Sequence, residues 1–525
     1  MCMWSAMGWP SDFINGLMRR SGWRSNWSVK IAIGHSNMSA SGSRHNPTDI
    51  LRSLRDTEST KVGSVRSARN RTVSIKSFRN HAVTLCVLVW FLHLLLAPAW
   101  SGTESGLQRI QKLYEKKEYQ TVLDEMNKLG TETTEGLDVR RIKVRTLLRL
   151  GKPKDALAEY DHLVELLKQD DPLVLREVAL GFVVVLTKDM REQMRGAAFT
   201  ALKDWHSPDA IPFFEDGLSD GSGLVRALAA EGLAKLDVGR RSEKFRQALE
   251  DQAVLVKEAV LKGFSKSSDA SAVPLAESAL KDPEVRVRVA AAEVLCHLKR
   301  PNGCELLLRY AKAPNPDERT SAIRALVERQ PTQVFPILKE ASDHTQPSVR
   351  GAAATGLGRV PSAEAVALLT GLLRDPLPPV RIAAAVSLGQ CKGFNAGPPL
   401  MKALDDRDTA VRAFVIGALL EQGERYDVVA GSVRALINMK EPALRTAVAR
   451  ALGHAEGDNR EPARSALMLL VQDTVSRVRI AAIKSLTKVD GAQAMAILKQ
   501  GLHDEDDAVR ATAGGALLTV VPSTD

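Results

Sequence analysis

The strongest constraint on the fold is a basic residue that returns about every 31 residues across most of the chain. Eight of the ten intervals in this series are identical to that from Arg195 to Arg226, and the other two are slightly longer. A Leu or Phe stands seven positions after each basic residue. Such a period is typical of repeat proteins, in which each unit buries its apolar face only against its neighbours. The series comprises Arg195, Arg226, Lys257, Arg288, Arg319, Arg350, Arg381, Arg412, Arg445, Arg479 and Arg510.

Each repeat predicts a pair of short helices, with the basic residue on the second helix. Apolar residues at −1, +3 and +7 from the basic position share one stripe of a helix, and this stripe packs on the first helix. An Asp stands six positions before the basic residue in eight repeats, where it can cap the helix or reach the Arg of an adjacent repeat. We interpret these residues as a structural ladder rather than a binding site, since a site has no reason to recur in every repeat. The ladder comprises Asp189, Arg195, Asp220, Arg226, Asp251, Asp282, Arg288, Asp375, Arg381, Asp406, Arg412, Asp473, Arg479, Asp504 and Arg510.

The pattern Asp…Val-Arg-x-Ala-Ala-x-x-Leu-Gly is most complete at Val380–Ala385 and Leu388–Gly389. It resembles the HEAT-repeat family, in particular the short bacterial repeats found in phycobilin lyases. The resemblance covers residues 171–525 in about eleven repeats. It implies an all-α fold, a right-handed α-solenoid of stacked helix pairs. Each helix is expected to have about 12 residues, and the solenoid is expected to be a quasi-linear object with an extended concave wall.

Residues 100–170 have a different period, of about 34 residues. The second copy, Leu147–Gly151 followed by Asp155–Leu157 and Tyr160, resembles the tetratricopeptide repeat (TPR), and the first copy lacks its Gly and Ala. The resemblance implies TPR-like helical repeats that bind extended peptides or neighbouring chains. The positions that correspond are Lys117 and Gly151, Val122 and Ala156, and Met126 and Tyr160.

The N-terminal region predicts export. Residues 1–81 hold 13 Lys/Arg and 4 Asp/Glu, lack any helical or alternating period, and are interpreted as disordered or as not translated. Residues 82–99 follow Lys76 and Arg79 as an apolar run ending in Ala97-Pro98-Ala99, which is the order of a secretory signal peptide. Cleavage would leave Trp100 as the first residue. Retention as a signal anchor is the alternative, and both outcomes place the repeats outside the cytoplasm, in the periplasm or the extracellular space.

Charge and cysteine content limit the functions further. After residue 81 the chain holds 59 Lys/Arg and 58 Asp/Glu, so it lacks the overall positive charge of a nucleic-acid-binding surface. Cys296 and Cys304 flank a Pro301–Gly303 turn and could pair in an oxidising compartment. We favour the interpretation that these two residues and Cys391 are small buried core residues.

No motif for catalysis is present. The sequence contains no His-Glu dipeptide, although iron-binding HEAT proteins of the deoxyhypusine hydroxylase type use such pairs, and the ten His are scattered along the chain. We therefore expect a non-catalytic scaffold without metal or cofactor that binds a protein through the concave face. A HEAT-fold enzyme or tetrapyrrole lyase is the alternative, and contact with a membrane is expected only through an uncleaved anchor.

Three central repeats suggest where the partner binds. Positions +1, +5 and +8 from the basic residue are expected to face the concave wall, and in most repeats at least one of them is charged. In these three repeats all nine are uncharged, which predicts an exposed interaction strip, although close packing of small residues is the alternative. The strip comprises Gly351, Thr355, Gly358, Ile382, Val386, Gly389, Ala413, Gly417 and Leu420.

Overall fold

The structure, a computed structural model, describes residues 106–129, 136–329, 331–491 and 493–522. Within these ranges the regular elements are all helical: 27 α-helices and three short 3₁₀-helices, with no strand. The predictions for residues 1–81 and 82–99, including the proposed cleavage before Trp100, lie outside the described residues. None of the described helices combines the length and apolar character needed to cross a membrane.

Four helices precede the helix pairs that carry the basic series, and they follow the longer period of the N-terminal repeats. Lys117 (φ 62°) and Gly151 (φ 71°), which correspond in that period, both adopt the left-handed conformation in the turn of a helix hairpin. Val122 and Ala156, which also correspond, are fully buried. The first copy therefore makes the same turn with Lys, although glycine adopts this conformation more readily. The helices are α1 (Gly106–Glu115), α2 (Tyr119–Lys128), α3 (Leu137–Arg149) and α4 (Pro153–Leu167).

Eleven helix pairs follow, one for each basic residue of the series. The first helices are α5 (Pro172–Leu186), α7 (Ile211–Gly217), the broken pair α9 (Asp237–Arg240) and α10 (Glu243–Gln247), α12 (Ala272–Ala279), α14 (Gly303–Tyr310), α16 (Pro331–Ser342), α18 (Ala363–Leu372), α20 (Gly397–Ala403), α22 (Tyr426–Ile437), α24 (Arg460–Leu470) and α26 (Met495–Gly501). The second helices, which carry the basic residues, are α6 (Glu192–Trp205), α8 (Gly223–Lys235), α11 (Val254–Phe264), α13 (Val285–His297), α15 (Pro316–Arg329), α17 (Pro347–Arg359), α19 (Pro378–Gln390), α21 (Thr409–Glu421), α23 (Pro442–Leu452), α25 (Ser476–Asp490) and α27 (Asp507–Val520). The structure is thus an all-α solenoid.

The helices form two layers. Successive second helices pack extensively on one another, whereas successive first helices meet at few points, so the second helices form the inner, more crowded layer. Small residues permit this crowding: a Cβ on Gly389 of α19 would lie 2.9 Å from the Cα of Ala418 in α21. The apolar residue at +7 is buried in each repeat, as Leu388 and Leu419 show, and it joins the repeats in one continuous core.

The last repeat packs against the first, so the solenoid closes on itself. Helix α27 lies against α5 and α6 as closely as second helices lie against one another elsewhere. A Cβ on Gly514 would come within 2.5 Å of the Ala179 carbonyl oxygen, and a Cβ on Gly515 within 2.8 Å of the Ala201 side chain. The expectation of a quasi-linear solenoid is therefore wrong. The small rotation between repeats adds up over eleven units until the ends meet.

Polar contacts hold this junction at its surface. Arg176 of α5 donates to the carbonyl oxygens of Leu518 (3.1 Å) and Val521 (2.5 Å), which have no further helical turn to bond with. Two ion pairs flank these contacts. They join Lys484 to Asp204 at 2.8 Å and Lys499 to Asp170 at 2.6 Å.

The three described cysteines do not share one role. Cys296 and Cys304 form a disulfide, so the favoured prediction that both are unpaired core residues is wrong, and Cys391 is a buried free thiol. The turn between them brings α13 and α14 very close. A Cβ on Gly303 would lie 2.4 Å from the backbone nitrogen of Cys296, and Asn302 has a φ of 70°.

Candidate functional site

The regular spacing of Arg and Asp produces a two-pronged ion pair between neighbouring repeats. Arg381 donates through Nε and Nη2 to the two carboxylate oxygens of Asp406, each at 2.8 Å. Its Nη1 turns back to the carbonyl oxygens of Asp375 (3.0 Å) and Pro376 (3.3 Å) in its own repeat. Asp406 also accepts from the backbone N–H of Asp408 at 2.8 Å, which fixes the turn before α21. One Arg therefore joins two repeats and orders two turns.

The same geometry recurs along the ladder. The Asp carboxylate bonds a backbone N–H in the turn before the second helix, rather than a free amide of the first helical turn. Arg445 holds the pKa of Asp473 below its ordinary value, and Arg226 does the same to Asp251, although partial burial opposes both effects. The two-pronged pairs, with distances of 2.6–3.0 Å, are Arg195–Asp220, Arg226–Asp251, Arg350–Asp375, Arg381–Asp406, Arg445–Asp473 and Arg479–Asp504.

One departure from the repeat pattern has a structural reason. Glu318 is the only residue before a basic position that is not apolar, and its repeat has Ala313 where most repeats have Asp. Glu318 accepts from Arg288 of the preceding repeat at 3.1 Å. The Glu thus replaces the missing Asp as the partner of that Arg.

The ladder continues across the junction by a different route. Arg191 bonds Asp189 at 2.8 Å and Asp507 at 2.8 Å, and Asp507 in turn accepts from Arg510. Hydrogen bonds from Arg191 lower the pKa of Asp189 to about 2. The first Asp and the last Arg of the series are therefore joined through an intervening ion pair.

The interaction strip is only partly accessible. Ile382 and Val386 are half-buried and Thr355 is exposed, as predicted for an accessible surface. The expectation that all nine residues are exposed is wrong. Close packing buries five of them: Gly358, Gly389, Ala413, Gly417 and Leu420. A Cβ on Gly358 would lie 2.9 Å from the Cα of Ser387, so the backbones of neighbouring helices occupy the space.

A small apolar groove remains at one end of the strip, on the inner layer. Its walls are Val386 of α19 and Phe414 of α21, and its volume is about 50 Å³. Phe414 is 37% exposed, which is unusual for an aromatic ring on a helix of the inner layer. The floor consists of small residues, and the rim carries Glu421, Arg450 and His454, of which Glu421 and His454 lie 3.4 Å apart.

Sequence reasoning missed Phe414. It stands at +2, a position that holds Ala in seven of the eleven repeats and no other aromatic residue. An aromatic residue at a position that otherwise accepts Ala is a detectable signal. The strip consists of positions +1, +5 and +8, and it therefore leaves this residue out.

The sequence profile described as HEAT repeats matches the chain in four overlapping segments, residues 242–327, 272–349, 304–389 and 334–419, and in a separate fifth segment, residues 433–518. The chain belongs to the HEAT-repeat family. The matched segments cover half of the chain and contain nine of the eleven basic residues of the series. No curated protein matches the sequence.

Solved structures with similar helix arrangements are distant from this HEAT-repeat protein in sequence. YibA of Escherichia coli is 19% identical, with 51% of this chain and 98% of that chain covered and a TM-score of 0.32. Human deoxyhypusine hydroxylase in complex with glycerol is 19% identical, with 61% and 98% covered and a TM-score of 0.25. A Kap121p mutant is 13% identical, with 80% and 56% covered and a TM-score of 0.31.

Among the described residues of this HEAT-repeat protein, no group of three or more His, Cys, Asp or Glu side chains is arranged to hold a metal ion. His297 lies against Arg329 at 3.0 Å, and burial together with that guanidinium lowers its pKa. His454 and His503 lie on different repeats and each contacts a carboxylate. These histidines do not converge on a common site.

Proposed function

We propose that this HEAT-repeat protein is an exported, non-catalytic scaffold that binds a protein partner through the inner layer of its solenoid. The groove at Val386 and Phe414 carries this proposal, since an exposed aromatic ring beside an aliphatic side chain is typical of interaction sites. Its charged rim at Glu421, Arg450 and His454 offers polar contacts around an apolar centre. The partner would insert one apolar side chain against α21, in the groove lined by α19, α21 and α23.

The repeated Arg and Asp residues also support the interpretation of the protein as a scaffold. The Arg residues of the two-pronged pairs, such as Arg381, donate to carboxylate oxygens of the next repeat and to carbonyl oxygens of their own repeat, so few of their donors remain for a substrate. Their burial, 3% exposure for Arg381, places them between repeats rather than in an accessible cleft. The repeated Arg and Asp residues therefore stabilise the packing of repeats, and partner binding is assigned to residues that depart from the repeat pattern.

Two observations support the remaining parts of the proposal. The Cys296–Cys304 disulfide suits an oxidising compartment outside the cytoplasm. The matching left-handed turns at Lys117 and Gly151 support assignment of α1–α4 as two TPR-like hairpins. These hairpins would offer a second binding surface beside the HEAT repeats.

The groove is tested by partner capture from the native envelope with the substitution Val386→Asp. Thr355→Asp is the matched control, because Thr355 lies on the same layer, is exposed and is outside the groove. We expect Val386→Asp to remove the captured partner and Thr355→Asp to retain it, with both variants melting cooperatively. Equal capture by the two variants would show that the groove does not bind the partner.

The proposal that the protein is non-catalytic is tested separately. The purified protein is expected to contain no stoichiometric iron and no bound chromophore, as measured by metal analysis and absorption spectroscopy. Iron at one or more equivalents per chain, or a covalently bound tetrapyrrole, would favour the alternative of a HEAT-fold enzyme or lyase.

A further inference from the structure

One repeat departs from the others in its outer layer. The first helix of the third pair is broken into α9 and α10, which are followed by a 3₁₀ turn at Ala248–Glu250. A cleft of about 700 Å³ opens between these pieces and the loop that follows α11. Its lining residues are mainly charged or hydroxylated: Asp237, Arg240, Arg241, Arg246, Lys266, Ser267, Ser268, Asp269 and Ser271.

The cleft has an excess of positive charge. Arg240 pairs with Asp237, and Arg246 pairs with Asp269 at 2.5 Å. Each of these pairs is neutral, which leaves two cations. Arg241 and Lys266 are exposed, and within the described part of the chain neither side chain has a carboxylate partner.

Hydrogen bonds from another repeat and within the loop fix the shape of the cleft. Arg329 of α15 reaches across two repeats and donates to the carbonyl oxygen of Ser265 at 2.6 Å, at the start of the loop. The Asp269 N–H donates to Ser267 Oγ at 3.2 Å. The loop that presents Lys266 is therefore ordered before any ligand arrives, which lowers the entropic cost of binding.

Arg246 is fixed as well. It donates to Ser271 Oγ at 2.8 Å, and its guanidinium lies 5.8 Å from the centre of the Phe264 ring, within the range of a cation–π contact. With the guanidinium stacked on an apolar surface, its orientation toward the cleft is set by the core of the repeat. The cleft thus combines fixed donors with two unpaired cations.

We propose that this cleft binds an acidic segment of a polypeptide partner. Guanidinium groups and hydroxyls bond carboxylates well, and Asp237 and Asp269 can accept the N–H groups of a peptide backbone. Those same carboxylates disfavour a polymer with a phosphate at every unit. The balance of 59 Lys/Arg and 58 Asp/Glu after residue 81 adds no overall positive charge that would favour nucleic acid. The inference rests on the proposed protein-binding function and specifies the chemistry of one contact.

The test measures binding of a fluorescein-labelled hexaglutamate peptide to the full chain by fluorescence anisotropy at low salt. We expect the double variant Arg241→Glu/Lys266→Glu to bind at least about tenfold more weakly than the wild type. The matched control is Lys281→Glu/Arg434→Glu, which makes the same charge change at exposed positions outside the cleft. The control is expected to bind within about twofold of the wild type.

Three results would overturn the proposal. Failure of the wild type to bind the peptide would exclude the site. Equal weakening in both double variants would show that peptide binding depends on the overall charge of the protein and not on this cleft. Displacement of the peptide by inorganic phosphate at equal concentration would assign the cleft to single anions. Partner capture with Val386→Asp tests the groove separately, so failure of the groove and failure of the cleft are distinguishable.

Discussion

The carbonyl oxygen of Ala179 in α5 lies directly against Gly514 in α27, at a point where a Cβ would approach it to 2.5 Å. The two residues are separated by most of the solenoid in sequence. In the ten other repeats the residue at this position, +4 from the basic residue, is Phe, Leu, Ile or Ala. Gly514 is therefore explained by the junction rather than by its own repeat.

Closure predicts that a methyl group at Gly514 destabilises the protein. We expect Gly514→Ala to lower the free energy of unfolding by about 1–3 kcal/mol, because the new Cβ meets backbone that cannot move without shifting α5. The measurements are urea denaturation and small-angle scattering, in which the radius of gyration should increase if the junction opens.

Gly351 of α17 provides the control for that substitution. It also lies within a second helix, but no atom is within 4 Å of its Cβ position. Gly351→Ala should stabilise by about 0.5–1 kcal/mol, since Ala has the higher helix propensity. If Gly514→Ala also stabilised the protein, α27 would not contact α5 closely in solution.

The Arg–Asp ladder predicts that Ala substitutions of Arg381 and Arg412 change the stability of the protein by unequal amounts. Arg381→Ala leaves the largely buried carboxylate of Asp406 without the two guanidinium donors and should cost about 2–3 kcal/mol of stability. Arg412 occupies the same position one repeat later, but its repeat is followed by Met439 in place of Asp. Among the described contacts it bonds only the Asp406 carbonyl oxygen, at 3.5 Å.

Arg412→Ala is therefore the matched control and should cost less than about 1 kcal/mol. Both variants are compared by chemical denaturation. Equal losses would mean that the aliphatic part of the side chain, and not the ion pair, stabilises the repeat. A variant that melts normally but no longer binds the partner would instead make these residues part of the binding site.

The two layers and the ladder could be predicted from the sequence because each depends on contacts within a repeat or between neighbours. The period places Asp406 one repeat beyond Asp375, and every ideal stack of such repeats brings it within reach of Arg381. Closure depends on the rotation between neighbouring repeats, summed over eleven repeats, and no local sequence pattern specifies that sum. The local sequence feature that accompanies closure is Gly514-Gly515 in the middle of a helix, but a glycine pair at such a position is equally typical of a helix kink.

The prediction that all nine residues of the interaction strip are exposed was wrong for a related reason. The exposure of a residue at +8, such as Gly389, depends on how near the next helix lies, and the sequence does not give that distance. Gly389 is buried because Ala418 allows the helices to approach. Small residues at an expected surface therefore indicate close packing as readily as an open groove.

The depressed pKa of Asp473 predicts that the stability of this repeat depends on pH. Arg445 holds the pKa of the folded carboxyl below 3.8, so the folded state favours the ionised form. Its contribution is present above the pKa of the unfolded chain and is lost as the pH falls through the folded pKa. The difference in urea midpoint between wild type and Asp473→Asn should therefore be constant near neutral pH and shrink below about pH 4.

Asp343→Asn is the control for this pH dependence. Asp343 is exposed and takes part in no described ion pair, so the same loss of charge should change the urea midpoint little at any pH. A difference between wild type and Asp473→Asn that grows on acidification would contradict the direction of the pKa shift.

The proposed export predicts the N-terminus of the native protein. The Ala97-Pro98-Ala99 sequence after the apolar run predicts signal cleavage after Ala99. N-terminal sequencing of the native protein should begin at Trp100. An intact chain recovered from the cytoplasm would contradict export, and an intact chain in the membrane would favour the signal anchor.

The thiol content of the mature protein gives the last prediction. A chain that begins at Trp100 contains three cysteines, of which Cys296 and Cys304 are paired, and burial raises the pKa of the Cys391 thiol. Because the thiolate is the reactive form, the native protein should react with a maleimide slowly or not at all. The denatured, unreduced protein should expose one thiol per chain, and the reduced protein three, as counted by mass spectrometry. Cys391→Ser should lower these counts to zero and two. Three reactive thiols without reduction would show that Cys296 and Cys304 are not paired, and would remove the support that the disulfide lends to an oxidising compartment.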